Sequence, residues 1–463
     1  MSRDKRILLF APYFLPRRRV GSMRPFRFAI HLREHGWDPT VLTIATPDQT
    51  LTKKEADLLN GVAIRTVDAP MDRTTKSESQ LGAASTPRST RDATILARLL
   101  NTIDRQFPVD TWLILFALRF RSMVRQVREV DPHVLWATGD PWSGLVVGRR
   151  LSRRLQIPYI ADFRDPWTLS DVRTDGQWDL SRRVDRRSER RVIASADLVM
   201  FQAEQVEAMY RAHYADLAPR TKTIRNSFDP LIFDDPVYVP GQAAPEGGIR
   251  VASHTSGDGT RDEGDARRDL HIGFFGRFRE MSPATLMIDV LSDLRRRHGS
   301  ASGSVFVHSF GPLSAADAAY ARSLGVEDLF VAHNAVPLQQ SLSVLRRFDL
   351  LLVSTEPRRR HIIPAKLFEY LPAGRPILSL SRNPEVDGIL RRTGTGVQML
   401  DRHAVADLLA SCLDALAKGE ALPVPYEPDG SEIMKYDAAT STAELSRVCD
   451  ELLASSGAGS SAG

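Results

Sequence analysis

Two charged residues, Lys366 and Glu369, interrupt an otherwise apolar segment of the sequence, HIIPAKLFEYLPAGRPIL, which runs from residue 361 to 378. Pro364 suits the start of a helix, because its missing amide hydrogen costs nothing there. Residues three apart share one helix face, so the spacing predicts a short helix that carries both charges side by side. They could form a solvated ion pair or bind a ligand. The helix has few other polar positions, which favours ligand binding.

Two glycine turns follow strand-like segments and precede helices. In GFFGRF the turn contains Gly276 and Arg277, with Arg279 close behind, and in PRRRVGSMRPFR Gly21 lies directly before a helix. Arginine can bind a diphosphate through paired hydrogen bonds, and free amides at a helix start favour anions. Either turn could also be an ordinary basic connection. Neither is a G-x-G-x-x-G fingerprint, so each gains weight only from the rest of the chain.

A third group of charges follows the strand-like segment PYIADF. It reads Asp162-Phe163-Arg164-Asp165-Pro166-Trp167. In open parallel sheets, ligands bind beyond the carboxyl ends of the strands, which is where these residues should lie. The two carboxylates and the arginine could form a structural ion-pair cluster or contact a substrate.

These residues need a scaffold of alternating strands and helices, and the sequence predicts one. Short β-type segments alternate with stretches of helical period, a pattern typical of βαβ units and parallel sheets. The pattern occurs twice, so we expect an α/β protein with two Rossmann-like, doubly wound domains. The expected boundaries are an N-terminal domain at 1–230, a mobile linker or insertion at 231–270, a C-terminal domain at 271–435, a helix at 436–454 that returns to the first domain, and a disordered tail at 455–463.

Composition excludes several other classes of protein. The chain has 463 residues, 42% of them hydrophobic, a formal net charge of +5 and two cysteines. Such a chain is long enough for two large domains, and two cysteines cannot build a disulfide scaffold or a cysteine-based zinc site. We expect a reduced, cytoplasmic protein without a metal site. The longest apolar segment, WLILFALRF, is far short of a membrane span of about 20 residues.

The segment from Thr111 to Val130 has an apolar first half and four arginines in its second half. A helix of this kind can rest on an anionic membrane surface. It can equally be a buried helix with a basic exposed end. Peripheral contact with the inner face of a membrane is therefore an open expectation.

Several segments, in the same order along nearly the whole chain, resemble retaining glycosyltransferases of the GT-B type, the large nucleotide-sugar-dependent family 4. The matching segments are APYFLPRRRVGSMRPFRFAIHLREHGWDPTVLT, PYIADFRDPW, SADLVMFQAEQ, IRNSFD, GFFGRF, FDLLLVST and IIPAKLFEYLPAGRPIL. The D-F-R-D-P-W motif resembles one sub-branch of that family. The resemblance implies two Rossmann-like domains that face each other across a cleft.

The resemblance also implies roles for residues of the C-terminal half. Glu369 matches a glutamate that holds the ribose hydroxyls of the sugar donor, and Arg277, Arg279 and Lys366 match positions for its diphosphate. The family usually has an acid eight residues before that glutamate, where this sequence has His361. We expect His361 to contact the sugar ring.

The remaining site residues lie beside His361 and in the N-terminal half. We expect the backbone amides of Ile362 and Ile363 to contact the donor, together with Gly21. Asp162, Arg164 and Asp165 are the predicted catalytic or acceptor-side residues. Three cationic side chains can stabilise a departing diphosphate without a metal, so no cofactor is expected.

The predicted function is transfer of a sugar from a nucleotide-diphosphate sugar to a glycan, lipid-linked or small-molecule acceptor. The expected setting is surface polysaccharide or glycoconjugate biosynthesis, with retention of anomeric configuration. Two alternatives stay open: a nucleotide-sugar 2-epimerase of the same fold, and a non-catalytic protein that binds nucleotides or nucleic acid. Nucleic acid is not the expected partner, because the arginine clusters lack the interleaved aromatic residues of single-strand binders.

Overall fold

The computed structural model describes residues 5–46, 49–68, 106–170, 175–237, 269–298 and 304–459. The chain divides into two compact units. Unit 1 contains the described residues up to Ser227 and those from Ala438 onward, and unit 2 extends from Phe228 to Asp437. The chain therefore leaves unit 1, completes unit 2 and returns to unit 1.

Unit 1 is built on one parallel sheet of seven strands. Their order across the sheet is β3-β2-β1-β4-β5-β6-β7, so β1 to β3 are added towards one edge of the sheet and β4 to β7 towards the other. The strands are rich in fully buried Ile, Leu, Val and Phe, as expected of a sheet with helices on both faces. They are β1 Lys5–Phe10, β2 Trp37–Ile44, β3 Ala63–Val67, β4 Val134–Gly139, β5 Tyr159–Phe163, β6 Leu198–Phe201 and β7 Thr221–Thr223.

Seven helices within the described ranges pack around this sheet. The first ends as its sequence indicates: after a short 3-10 turn, Gly36 takes a left-handed conformation, which glycine adopts without a steric penalty. The helices are α1 Val20–His31, α2 Lys53–Leu58, α3 Trp112–Val130, α4 Ser143–Leu155, α5 Asp179–Ile193, α6 Glu204–His213 and, at the end of the chain, α14 Ala438–Gly459.

Unit 2 repeats the design with six parallel strands in the order β10-β9-β8-β11-β12-β13. Its strands are β8 Leu270–Phe274, β9 Val305–Ser309, β10 Phe330–Ala332, β11 Leu350–Ser354, β12 Ile377–Leu380 and β13 Gly396–Gln398. Its helices are α7 Thr285–His298, α8 Ala315–Ser323, α9 Ser341–Leu345, α10 Ala365–Tyr370, α11 Pro384–Thr393, α12 Arg402–Lys418 and α13 Gly430–Met434. The fold class is α/β with two Rossmann-like sheets.

Two boundaries differ from the sequence-based expectation. Residues 231–237, expected to begin the linker, are part of unit 2, where Ile232 and Phe233 are buried and the Asp234 amide donates to the carbonyl of Gln339. The rest of the expected linker, 238–268, lies outside the described residues. The last helix extends to Gly459, beyond residue 454. Of the expected tail, 460–463 lie outside the described residues.

Candidate functional site

In unit 2 the strand order changes direction between the neighbouring strands β8 and β11: the strands that follow β8 in the chain lie towards one edge of the sheet, and those from β11 onward lie towards the other. Loops that leave two adjacent strands in opposite directions open a crevice at their carboxyl ends, the usual ligand site of such sheets. The loop after β8 carries Gly276, Arg277 and Arg279, and the loop after β11 leads to Lys366 on α10. The sequence-predicted donor residues of unit 2 therefore converge on one place.

Lys366 is the most unusual of these residues. Its Nζ lies 3.4 Å from the centroid of the Phe274 ring, and a Cβ built on Gly276 would lie 3.4 Å from the same atom. It makes no ion pair or hydrogen bond with any residue that the structure describes, including Glu369. Burial, with a smaller contribution from the charge of Arg279, lowers the pKa of Lys366 to about 7. A partly desolvated, unpaired ammonium beside a glycine turn is a ready anion-binding group.

The glycine turn is held against α10 by a buried tyrosine. The Phe275 amide donates to Oη of Tyr370 at 2.8 Å, and the carbonyl of Gly276 accepts from the Phe310 amide at 2.9 Å. Gly276 has a φ of 140°, which favours glycine. The turn is therefore fixed from two sides, and both of its arginines are exposed. Arg279 is close enough to Lys366 for its charge to lower the pKa of the lysine, and the Arg277 side chain lies against Gly311.

Glu369 lies on the same helix as Lys366 and is buried. His361 and Ile362, in the turn before α10, are partly exposed, and Ile363 is buried. The amide of Ile362 donates to the carbonyl of Arg359 at 3.2 Å. The Ile362 amide is therefore used to close this turn, and its expected contact with the donor stays a prediction. The Ile363 amide makes no hydrogen bond within the described part of the chain.

In unit 1 the first carboxylate of the motif at 162–167 forms an ion pair with a buried arginine. Asp162 is fully buried on β5 and accepts two hydrogen bonds from Arg24 of α1, both at 3.1 Å. The Thr138 hydroxyl donates a third at 2.8 Å, and Arg24 also donates to the carbonyl of Ile224. This geometry gives Asp162 a structural position between α1 and β5. It fits the ion-pair interpretation of the motif for this residue.

Arg164 and Asp165 lie beside this pair and remain partly accessible. Nε of Arg164 donates to Asp165 at 3.2 Å, and Gln202 donates to the other carboxylate oxygen at 3.3 Å. Nη1 of Arg164 is buried with no hydrogen-bond partner in the described residues, and a Cβ on Gly21 would overlap it. Burial alone would lower the pKa of Arg164, but the carboxylates of Asp165 and Asp140 outweigh it and raise the pKa. The guanidinium is therefore charged and has donor capacity to spare.

Three residues of this region were missed at the sequence level. Gln202 and Asn226 join the two carboxylate groups into one network, since Asn226 donates to Gln202 at 2.7 Å, and Arg24 holds Asp162. Gln202 directly follows β6, and Asn226 is the third residue after the end of β7. Their positions after strands, the signal that singled out Asp165, could also have identified them. Arg24 carried no such signal, because it lies inside a helix.

The described residues contain neither a cluster of metal ligands nor a helix that could span a membrane. No group of three or more His, Cys, Asp and Glu side chains in these ranges comes together as a set of metal ligands. Among the helices that the structure describes, none is long and apolar enough to cross a membrane.

The N-terminal half of the chain resembles a known protein family. Residues 26–226 match the model of the glycosyl transferase 4-like domain family. No curated protein sequence matches the chain significantly.

Solved structures resemble the chain over almost its whole length. A glycosyltransferase from Rickettsia africae has a TM-score of 0.59 at 12% identity, covering 97% of this chain and 99% of its own. Anabaena HepE in complex with UDP has 0.57 at 15%, covering 96% and 100%. A trehalose-6-phosphate structure from E. coli, bound with UDP-2-fluoro glucose, has 0.52 at 10%, covering 97% and 96%. The chain thus has the GT-B fold, and its residues 26–226 resemble the glycosyl transferase 4-like domain family.

Proposed function

We propose that the protein is a glycosyltransferase that takes a sugar from a nucleotide-diphosphate sugar. The observation that carries the proposal is the unpaired, largely buried ammonium of Lys366 at the Gly276 turn, with the buried carboxylate of Glu369 one helical turn away. A cation for the diphosphate and a carboxylate for vicinal hydroxyls are the two groups that a nucleotide sugar requires. They lie at the crevice where sheets of this kind bind ligands.

In the proposed chemistry the bond between the anomeric carbon and the diphosphate oxygen breaks, and a bond forms between that carbon and the acceptor hydroxyl oxygen. Positive charge builds on the sugar ring in the transition state, and negative charge builds on the departing diphosphate. Lys366, Arg277 and Arg279 would stabilise that negative charge, which is the type of electrostatic effect that lowers barriers most. The leaving phosphate would accept the proton of the acceptor hydroxyl. The proposal therefore needs neither a side-chain base nor a divalent metal, and activity in EDTA tests the second point.

On the acceptor side we propose Arg164 and Asp165 as contacting residues and Asp162 as the residue that positions them. Arg164 keeps an unsatisfied donor, and Asp165 is about one-third exposed, whereas Asp162 is enclosed. The acceptor would be a glycan, a lipid-linked sugar or a small molecule, in cytoplasmic biosynthesis of surface polysaccharide or glycoconjugates. We further propose retention of configuration, which the anomeric proton coupling of the product would report.

A thermal-shift panel of nucleotide sugars tests donor binding. A true donor binds only the folded state and raises the melting temperature; at 100 times Kd the stabilisation is about 2.7 kcal/mol. UDP-sugars come first, because two of the similar structures contain UDP or UDP-2-fluoro glucose. GDP-, ADP- and TDP-sugars complete the panel. If no nucleotide sugar changes the melting temperature, the proposal fails.

The same donor, once found, separates transfer from epimerisation. Incubation without acceptor should return the donor unchanged apart from slow hydrolysis. Formation of an epimer at the second carbon of the sugar would contradict the transferase proposal and favour the epimerase alternative.

A further inference from the structure

Three helices of unit 1 lie side by side on one face of its sheet. α3 packs against α4, and α4 packs against α5. Each of these helices precedes a strand of the parallel sheet, so all three run in one direction and begin at the carboxyl edge of the strands. That edge is also where the loop with Arg164 and Asp165 lies. We call the outer surface of α3, α4 and α5 the arginine face.

The arginine face has far more cations than its ion pairs use. Four arginines of α3, four of α4 and four of α5 make no ion pair with any residue in the described ranges. Most of them are exposed. Acidic residues on these helices are buried or already paired, as with Asp185, Glu189 and Glu129. The arginines are Arg119, Arg121, Arg125, Arg128, Arg149, Arg150, Arg153, Arg154, Arg183, Arg186, Arg187 and Arg191.

A groove of about 480 Å³ between α3 and α4 concentrates this charge. Ala117 and Phe120 of α3 line it together with the four arginines of α4. Nε of Arg149 is buried and has no hydrogen-bond partner among the described residues. Burial and the nearby charges of Arg153, Arg191 and Arg150 lower the pKa of Arg149, which shows that the positive charges around the groove repel one another. An anion bound in the groove would offset this repulsion.

Large apolar side chains lie beside the arginines and face solvent. On α3, Ile114 is 52% exposed and Leu118 79% exposed, and the same stripe continues one turn later with Arg121. At the start of α5, Trp178 is 68% exposed and Leu180 71% exposed. Both helices begin at the same edge of the sheet. The apolar side chains therefore lie towards that edge, and most of the arginines follow further along the helices.

We propose that the arginine face binds the surface of an anionic lipid bilayer, with lipid phosphate groups in the groove of Arg149 and with Leu118 and Trp178 among the acyl chains. The inference goes beyond the proposed function, because it requires no nucleotide sugar. It would bring the carboxyl edge of the unit 1 sheet, where Asp165 lies, close to the membrane. A lipid-linked acceptor is the substrate class that this placement favours.

Exposed aliphatic side chains decide between lipid and nucleic acid as the partner. Phosphate charge alone would suit either, since both are polyanions. Ile114, Leu118 and Leu180 gain nothing from a nucleic acid backbone, but each releases water when it enters the hydrocarbon boundary. Trp178 is the single exposed tryptophan among the described residues of this face, too few for a stacking platform.

Vesicle flotation of the full chain tests the proposal. Wild-type protein should float with phosphatidylcholine vesicles that contain one-quarter phosphatidylglycerol at low salt, and should not float with pure phosphatidylcholine. Each arginine near an anionic surface changes binding by about fivefold, so Arg149→Gln/Arg153→Gln should weaken the partition constant about 25-fold. Leu118→Gln should also weaken it. Failure of the wild type to float with anionic vesicles overturns the proposal.

A matched control removes two positive charges elsewhere. Arg347 and Lys418 are exposed cations of unit 2, and Arg347→Gln/Lys418→Gln should float like wild type. Equal loss in this control would mean that total charge, and not the arginine face, binds the vesicles, which contradicts the proposal. Nucleic acid would be the partner if RNA binds tightly and Leu118→Gln floats unchanged. Circular dichroism and the thermal shift with donor show that each variant is folded and keep this test separate from donor binding.

Discussion

Lys366 offers a sharp test of the candidate site at the scale of single residues. Its neutral form is favoured in the folded state, because the folded pKa is about 7 and the unfolded value is 10.5. Between these values the unfolded chain binds more protons at this residue, so Lys366 should make the protein more stable as pH rises from about 7. The slope is measured up to about pH 8.5, the ordinary pKa of cysteine, because the raised pKa values of the buried Cys412 and Tyr370 oppose it at higher pH. Below pH 7 the full cost of burying the ammonium remains. Lys366→Met should abolish this slope in urea unfolding.

The same variant should bind nucleotide poorly. A hydrogen bond to a charged group contributes about 1.5–3 kcal/mol, so UDP affinity should fall about 10- to 100-fold in calorimetry. Binding of a diphosphate to the wild type at pH 8 should also take up protons, which buffers of different ionisation enthalpy reveal. If Lys366→Met retains both wild-type affinity and proton uptake, the ammonium does not contact the donor.

The two carboxylates of the motif at 162–167 should behave differently. Asp162→Asn breaks a nearly fully buried pair with Arg24 and should lower the free energy of unfolding by about 3–5 kcal/mol. Asp165→Asn changes a partly exposed group and should leave stability within about 1 kcal/mol of wild type while lowering kcat. Urea unfolding and initial rates check the pair. The opposite pattern would return the catalytic role to Asp162.

At this scale the sequence could predict contacts between residues that are close together in the chain, but not contacts between residues that are far apart. Lys366 and Glu369 were placed correctly on one short helix because Pro364 and the apolar spacing are local signals. The pairing of Asp162 with Arg24 spans 138 residues and no spacing rule encodes it. The hydrogen bond from the Ile362 amide to the Arg359 carbonyl could not be predicted either, because that turn depends on backbone geometry that residue types alone do not determine.

At the scale of elements, three histidines of unit 2 form a row: His271 lies on β8, His308 on β9 and His333 directly after β10. Nδ1 of His271 is 2.9 Å from Nε2 of His308, and Nδ1 of His308 is 2.8 Å from Nε2 of His333. Burial and the two neighbouring histidines lower the pKa of His308 to about 3. Above pH 6.5, the unfolded value, both states are neutral and burying His308 costs nothing in this respect; as pH falls from 6.5 towards 3 the unfolded chain takes up the proton first, and the free energy of unfolding decreases.

Acidification should therefore weaken unit 2 through this row. From pH 6.5 to pH 5 the wild type should lose about 2 kcal/mol of unfolding free energy, at about 1.4 kcal/mol per pH unit. His308→Gln should lose less over the same interval, whatever its stability at pH 7. Urea unfolding at the two pH values, followed by circular dichroism, checks this. Equal losses in both proteins would exclude His308 as the titrating group.

The sheets themselves follow from the sequence more directly than the row does. Alternating strand and helix periods identify parallel order, and Gly36 marks a helix end in both sequence and structure. That His271, His308 and His333 meet is set by register between strands far apart in the chain, which composition does not reveal.

At the scale of the whole molecule, unit 1 is completed by the last segment of the chain. α14 packs on α1, Asp450 pairs with Lys5 at 2.7 Å, and Trp37 donates to the same carboxylate. Leu445 and Cys449 of this helix are fully buried. The sequence suggests a terminal helix, but its exact end at Gly459 could not be read from a serine- and glycine-rich composition.

Truncation after Asp437 should therefore damage the folding of unit 1, although it removes only the end of the chain. The truncated protein should be insoluble or bind a hydrophobic dye. A milder change, Leu445→Ala, should cost about 2–5 kcal/mol in urea unfolding, whereas Leu400→Ala, at an exposed position, should cost less than about 0.5 kcal/mol. A truncated protein that unfolds like wild type would show that α14 is dispensable.

The most direct test of donor binding at α10 is a calorimetric titration of UDP, or of the nucleotide that the panel selects, into wild type and Glu369→Ala. Loss of paired hydrogen bonds to the ribose should weaken binding at least 30-fold, with the circular dichroism spectrum unchanged. Glu420→Ala, at an exposed position of the same unit, should bind like wild type. Unchanged affinity in Glu369→Ala would contradict the account.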